Sequence, residues 1–251
     1  MILAVNTAEE LLQIVLGQDG RVAWAWQEAC PGRMNEVMAP AVKALLDEHG
    51  LRPRDLTGVA CVRGPGSFTG LRLGLAFCHG LNLGLNLPLA GLDYLPLLGA
   101  GAAGLGFAEI HVLTHSRRDR VYHQAFADPD LSPLSPPRDL PVAQAAALLA
   151  ETAKRGRICA LGGGLQRNQE AFAPLAGTVE LLHPSHDNPS PQALLLASAK
   201  AEWSQDAVGA LYLRGSDAEE NLAAIAKTRG LSPDQAQAWL ERAMAKGSAP
   251  S

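Results

Sequence analysis

The opening of this chain constrains its fold more than any later stretch. Residues 2–6 (ILAVN) form an apolar run that turns at Thr7, Ala8 and Glu9, and residues 11–17 (LLQIVLG) form a second. Asp19-Gly20, a pair suited to the positive φ angles of a two-residue hairpin, joins that run to a third at 21–27. Met34, Val37, Met38, Ala41, Val42, Leu45 and Leu46 then recur at helical spacing, and this helix is expected to stop near Gly50. Residues 57–62 (TGVACV) predict a strand, and a glycine-rich loop carries the chain into a second helix from about residue 70 to 85. A short strand near 87–90 and a helix through the Ala/Gly-rich stretch to about 104 complete this part.

Three antiparallel strands followed by helix, strand, helix and strand is not a simple doubly wound order. It is the order of one lobe of the α/β actin-like ATPase fold, shared by sugar kinases and Hsp70-like proteins, in which two lobes each carry a mixed sheet flanked by helices. The second half repeats the theme less clearly. Residues 109–114 and 121–127 read as a hairpin with Arg117, Arg118 and Arg120 at its tip. The five prolines between Asp128 and Pro141 predict an extended loop. A helix (143–154), a strand (157–161), the turn Gly162-Gly163-Gly164 and a helix from about 166 follow, then a strand near 178–182 and a helix from about 191 to 203. The tail has a helix start at Ser232-Pro233 continued by Ala236, Leu240 and Ala243. The expected organisation is a first, partner-binding lobe over 1–104, a second lobe over 105–215, and an extension over 216–251. That extension either docks through Trp239 and Leu240 or is disordered around a short helix.

Composition excludes several classes. No apolar run approaches the ~18 residues of a membrane span. The N-terminal MILAVNTAEE lacks the basic region and small-residue cleavage site of a signal peptide, so a cytoplasmic protein is expected. A net charge of −4 does not favour unaided binding to nucleic acid, which depends on neutralising many phosphates. The four cysteines are scattered, with no CxxC pair, and read as small buried apolar residues. His111 and His115 lie on one face of a predicted strand, too far apart at ~3.3 Å per residue to share an ion. His183, His186 and Asp187 fall in a proline-rich loop expected to be solvated.

The segment Arg63-Gly64-Pro65-Gly66-Ser67-Phe68-Thr69-Gly70 is the most informative in the chain. Its glycines permit close backbone approach, and Ser67 or Thr69 can cap the following helix. It is neither a Walker A loop, lacking Gly-Lys-Ser/Thr, nor a dinucleotide fingerprint, and physics alone favours a strand-to-helix turn. The run RGPGSFTGLRLG resembles the signature of the TsaB family. The resemblance extends to ILAVNTA, Pro40, Leu87-Pro88, the spacing of Arg117 from Val121-Tyr122, and Tyr212-Leu213-Arg214.

That resemblance implies a non-catalytic subunit that binds and orders TsaD, with the ATPase TsaE, for threonylcarbamoyl transfer to the adenosine beside the anticodon of tRNA. It implies no intrinsic cofactor, a place for ATP or ADP at the interface of the complex, and a homodimer as an alternative assembly. The catalytic relative holds its metal with two histidines on a first-lobe helix, and the helix from Met34 to His49 has no such pair, so neither catalytic residues nor a metal site are expected. Asn6 stands where the fold normally carries a magnesium-organising aspartate, which leaves Asn6, Thr7, Gly162, Gly163 and Gly164 as a weakened nucleotide site. His115-Ser116-Arg117 likewise departs from the family's Asp-Ala-Arg.

The second helix is apolar on two faces, one with Leu71, Leu75, Cys78 and Leu85, the other with Leu73, Ala76, Phe77, Gly80 and Gly84. The latter face, joined by Met34 and Met38 of the preceding helix, is the expected partner interface. The competing readings are a metallopeptidase of the glycoprotease type and a free-standing kinase of the same fold. The first lacks a visible metal set or nucleophile, and the second lacks a carboxylate at position 6.

Overall fold

The computed structural model describes residues 1–213. Strands β1 (Ile2–Asn6), β2 (Leu11–Gln18) and β3 (Arg21–Ala29) form an antiparallel meander whose β2–β3 turn has Asp19 and Gly20 at positive φ, as the Asp-Gly pair predicts. Helix α1 (Met34–Glu48), strand β4 (Gly58–Gly64), helix α2 (Phe68–Leu85) and strand β5 (Leu89–Asp93) follow. Strands β4 and β5 add parallel to β1, giving the order β3-β2-β1-β4-β5.

Helix α3 (Tyr94–Gly99) leads to the second lobe: β6 (Glu109–Arg117), β7 (Arg120–Ala127), β8 (Arg138–Pro141), α4 (Val142–Ala153), β9 (Ile158–Leu161), α5 (Gly163–Gln166), α6 (Gln169–Phe172), β10 (Glu180–Leu181) and α7 (Pro191–Lys200). Its sheet order, β8-β7-β6-β9-β10, repeats the first with the same sense of every pairing. The chain thus has the actin-like fold, duplicated in topology. Two expectations need correction here. Residues 128–141 are not all loop, because 138–141 close the sheet as an edge strand, where Pro141 costs no ladder bond that the sheet needs. The helix expected up to 104 stops at Gly99, since Gly99, Gly101, Gly104 and Gly106 favour turns, two of them at positive φ.

Period-two alternation divides the core into layers. Leu3, Val5, Leu12, Ile14, Leu16, Val59 and Cys61 face α1 and α2. Ala4, Val15, Ala60 and Val62 face the opposite way, into a cluster shared with Tyr94, Leu95 and Leu98 of α3, Leu194 and Leu195 of α7, and Ile110, Val112 and Phe126 of the second sheet. The far face of that sheet, with Leu113, Val121 and Ile158, packs on Leu149 of α4. Helices α3 and α7 are therefore the filling between two sheets. The four cysteines are buried free thiols, in keeping with their apolar reading.

Helix α2 carries two kinds of glycine. A Cβ on Gly70 would stand 2.3 Å from the Thr7 carbonyl oxygen, whereas one on Gly84 would meet nothing within 4 Å. We expect Gly70→Ala to lower stability by about 1–3 kcal/mol through overpacking. Gly84→Ala should raise it by up to ~1 kcal/mol through helix propensity. Urea denaturation midpoints compare the two.

Candidate functional site: the inter-lobe turns and the outer face of helix α2

The signature loop is built for contact with backbone. Ser67 caps α2, its Oγ accepting the Gly70 N–H at 3.2 Å, and its own N–H donates to the Ala8 carbonyl at 2.7 Å. Thr69, the other candidate cap, is exposed. Gly66, Gly70 and Gly74 lie on one side of the loop and helix and press on the turn after β1. Their added Cβ atoms would fall 2.3 Å from the Ala8 oxygen, 2.3 Å from the Thr7 oxygen and 2.2 Å from Thr7 Oγ1. The glycines thus serve a strand-to-helix junction and leave no cradle for a phosphate. Around it, Arg63 pairs with Asp93 at 2.6 Å, and the Arg72 guanidinium sits 3.7 Å over the Phe68 ring. Gly64 and Pro65 are buried.

The five weakened nucleotide residues fall on two turns. Asn6 is buried, donating to Gln13 Oε1 at 2.8 Å and accepting the Ala8 N–H at 3.0 Å, so both ends of its amide are committed. Thr7 is buried against α2. Gly162, at φ +112°, and Gly164 both abut the Leu113 carbonyl, where a Cβ would approach to 2.3 and 2.8 Å. Gly163 faces Glu9, a residue that sequence reasoning passed over as part of a turn. Glu9 Oε2 accepts from the Tyr94 hydroxyl at 3.2 Å, and Oε1 accepts from the His115 N–H at 3.4 Å. Burial pushes its carboxyl up to about 7, and the nearby Asp187 charge adds to the rise.

Asp187 corrects a second expectation. It is buried rather than solvated, accepts the Gly162 N–H at 3.0 Å, and has a raised pKa because of burial. In the same loop His183 is exposed and His186 is partly buried. Pairing His111 with His115 on one strand also missed the cross-strand partner: His111 Nδ1 lies 3.0 Å from His123 Nε2 on β7, with both rings buried. Burial, reinforced by His111, lowers the His123 pKa to about 3. Among the described residues no three His, Cys, Asp or Glu are arranged to hold a metal ion.

Helix α2 presents its outer face as expected in part. Ala76, Gly80 and Gly84 are exposed, and Leu73 and Phe77 are partly buried. Leu83, which the two-face reading omitted, is 84% exposed. Leu85, assigned to the inner face, is only partly buried. Met34 and Met38, expected beside this face, are buried within the chain itself. They are 7% and 4% exposed, packed in the cluster that joins α1 to the first sheet. Between α1 and α2 an apolar groove of about 300 Å³ is lined by Val42, Leu46, Pro53, Leu56, Phe77 and Leu81 among others. Along the other flank, the Val208 N–H donates to His79 and the Tyr212 hydroxyl meets Arg72 Nε at 3.2 Å.

Glu9, partly buried, and His123, buried, give opposite pH dependences. Folded Glu9 keeps its proton up to about 7 whereas the unfolded chain releases it near 4.5, so stability falls as pH rises through that window. Folded His123 stays neutral down to about 3 whereas the unfolded chain binds a proton near 6.5, so stability falls as pH drops through that range. Glu9→Gln should flatten the loss on the neutral side and raise stability at pH 8 by about 1–3 kcal/mol. Denaturant titrations at pH 5 and pH 8 read the difference; equal responses of native and variant protein would contradict it.

A sequence profile of the family "TsaD: tRNA N6-adenosine threonylcarbamoyltransferase" matches residues 31–127. The tRNA threonylcarbamoyladenosine biosynthesis protein TsaB of Escherichia coli is 40% identical over 101 residues, a match spanning 40% of this chain and 43% of that protein. The Bacillus subtilis protein of the same name is 26% identical over 223 residues, covering 87% of this chain and 96% of its own length. Among solved structures, a Pseudomonas aeruginosa protein described as similar to peptidase YEAZ superposes with a TM-score of 0.69 at 24% identity, over 85% of this chain and 99% of that one. It shares the fold. In sequence, the chain is thus similar to TsaB proteins over part of its length at 40% identity and over most of it at 26%.

Proposed function

We propose that this chain is a non-catalytic subunit that binds and orders a TsaD-like catalytic subunit for threonylcarbamoyl transfer to the adenosine beside the anticodon of tRNA. The observation that carries the reading is the outer face of α2: Ala76, Gly80, Leu83 and Gly84 are apolar and exposed. Small residues four apart let a second helix approach closely, and Leu83 supplies a knob for it. The groove beside Phe77 and Leu81 offers a matching hole. The likeness to proteins named for tRNA threonylcarbamoyladenosine biosynthesis, and the match to the TsaD profile, support this choice of partner.

In this reading a TsaE-like ATPase joins the same cytoplasmic complex, and tRNA is met through the complex rather than by this mildly acidic chain alone. The chain holds no cofactor of its own, and ATP or ADP belongs at the interface with the partner. A homodimer through the same face forms when the partner is absent.

Depleting the protein should lower threonylcarbamoyladenosine in tRNA, read by nucleoside mass spectrometry, and unchanged levels would overturn the proposal. Gly80→Arg combined with Leu83→Asp, both at exposed positions, should leave a folded chain whose association with the TsaD-like subunit weakens by tenfold or more, roughly the loss of one interface anchor. Association equilibria measured by sedimentation check this, and undiminished binding would remove α2 from the interface.

A further inference from the structure

Sheets of this type receive ligands beyond the carboxyl ends of their parallel strands. Here the ends of β1 and β9 face each other across the gap between the lobes, through the turns at Asn6–Glu9 and Gly162–Gly164. Four donors in that gap are already engaged by carboxylates of the chain itself. The His115 N–H meets Glu9 Oε1 at 3.4 Å, and the Tyr94 hydroxyl meets Glu9 Oε2 at 3.2 Å. The Gly162 N–H meets Asp187 Oδ1 at 3.0 Å, and the Arg167 guanidinium meets Glu10 Oε1 at 2.9 Å. Gly163 is blocked by space as well as by charge. A Cβ added there would stand 3.2 and 3.3 Å from the two oxygens of Glu9.

We infer that Glu9 is a tethered anion that occupies the inter-lobe cleft and closes it to phosphate-bearing ligands such as a nucleoside triphosphate. Glu9 reaches from the first lobe to groups that line the second, so it stands where a phosphate bridging the two lobes would stand. Being attached to the β1–β2 turn, it competes as an intramolecular ligand, at an effective concentration of about millimolar or above. A free polyphosphate must displace it, and then meets the charge of Asp187 as well, with Gly162 already bonded. In the turn after β1, the Ala8 N–H is likewise held by a side chain of the protein, Asn6 Oδ1.

The test is calorimetric titration of the full chain with magnesium ATP at pH 8, using native protein, Glu9→Ala and Glu9→Gln. No partner is added, so the result is separate from the subunit role proposed above. The native chain should show no saturable binding up to ~1 mM, and Glu9→Ala should gain a site at least about tenfold tighter than that limit. Glu9→Gln, which keeps the shape and removes the charge, should gain a weaker one. Thermal unfolding establishes that each variant is folded; if Glu9→Ala is not, Glu9→Gln decides. Micromolar binding by the native chain would overturn the inference, and so would folded variants that bind no better than the native chain.

Discussion

Everything in the first lobe is organised around one close approach, that of helix α2 to the turn after β1. Gly66, Gly70 and Gly74 touch Ala8 and Thr7 with no side chain between, and the Ser67 N–H fixes the register by bonding the Ala8 carbonyl. Because α2 lies so near the sheet, Leu71, Leu75 and Cys78 sink into the core. The contact also orients α2, leaving Ala76, Gly80 and Leu83 facing outward. The same contact consumes the backbone groups of the turn, a fold location that elsewhere is open to ligands. One packing decision thereby turns an apolar helix face outward and commits the turn to packing.

The two lobes share a strand order but not a helix layer. The first lobe covers its sheet with the 15-residue α1 and the 18-residue α2, and the second uses the 12-residue α4 with two four-residue helices. Long helices bury one face and must present another, whereas short ones are largely consumed by their contacts with the sheet. The asymmetry explains why the outward apolar surface belongs to α2. It also explains why the duplication escapes a search for sequence repeats.

What could be read from sequence was what local chemistry encodes. The Asp19-Gly20 turn, the alternation in β1 and β2, and the Ser67 cap are neighbours-only effects, and the family signature reports the α2 junction. The actin-like order followed from them. Strand β8 was hidden because edge strands tolerate prolines that ordinarily signal loops. Met34 and Met38 show the limit of periodicity, which finds an apolar stripe without saying what covers it. Glu9, Asp187 and the His111–His123 pair depend on segments 106, 25 and 12 residues apart meeting in space, and no spacing rule marks them.

The path of the chain after α7 has a consequence for folding. After α7 it returns to the first lobe: Ser204 exchanges backbone bonds with Leu89 at 2.7 and 3.0 Å, and the Leu211 N–H bonds the Arg63 carbonyl at 2.7 Å. Trp203 closes over Gly58, where even a methyl group would lie 2.5 Å from its ring. The first lobe is therefore completed only by a segment that follows the second. Until Ser204 reaches Leu89, the outer edge of β5 lacks its covering segment. That closure joins positions far apart in sequence, the kind of contact that slows folding relative to local ones.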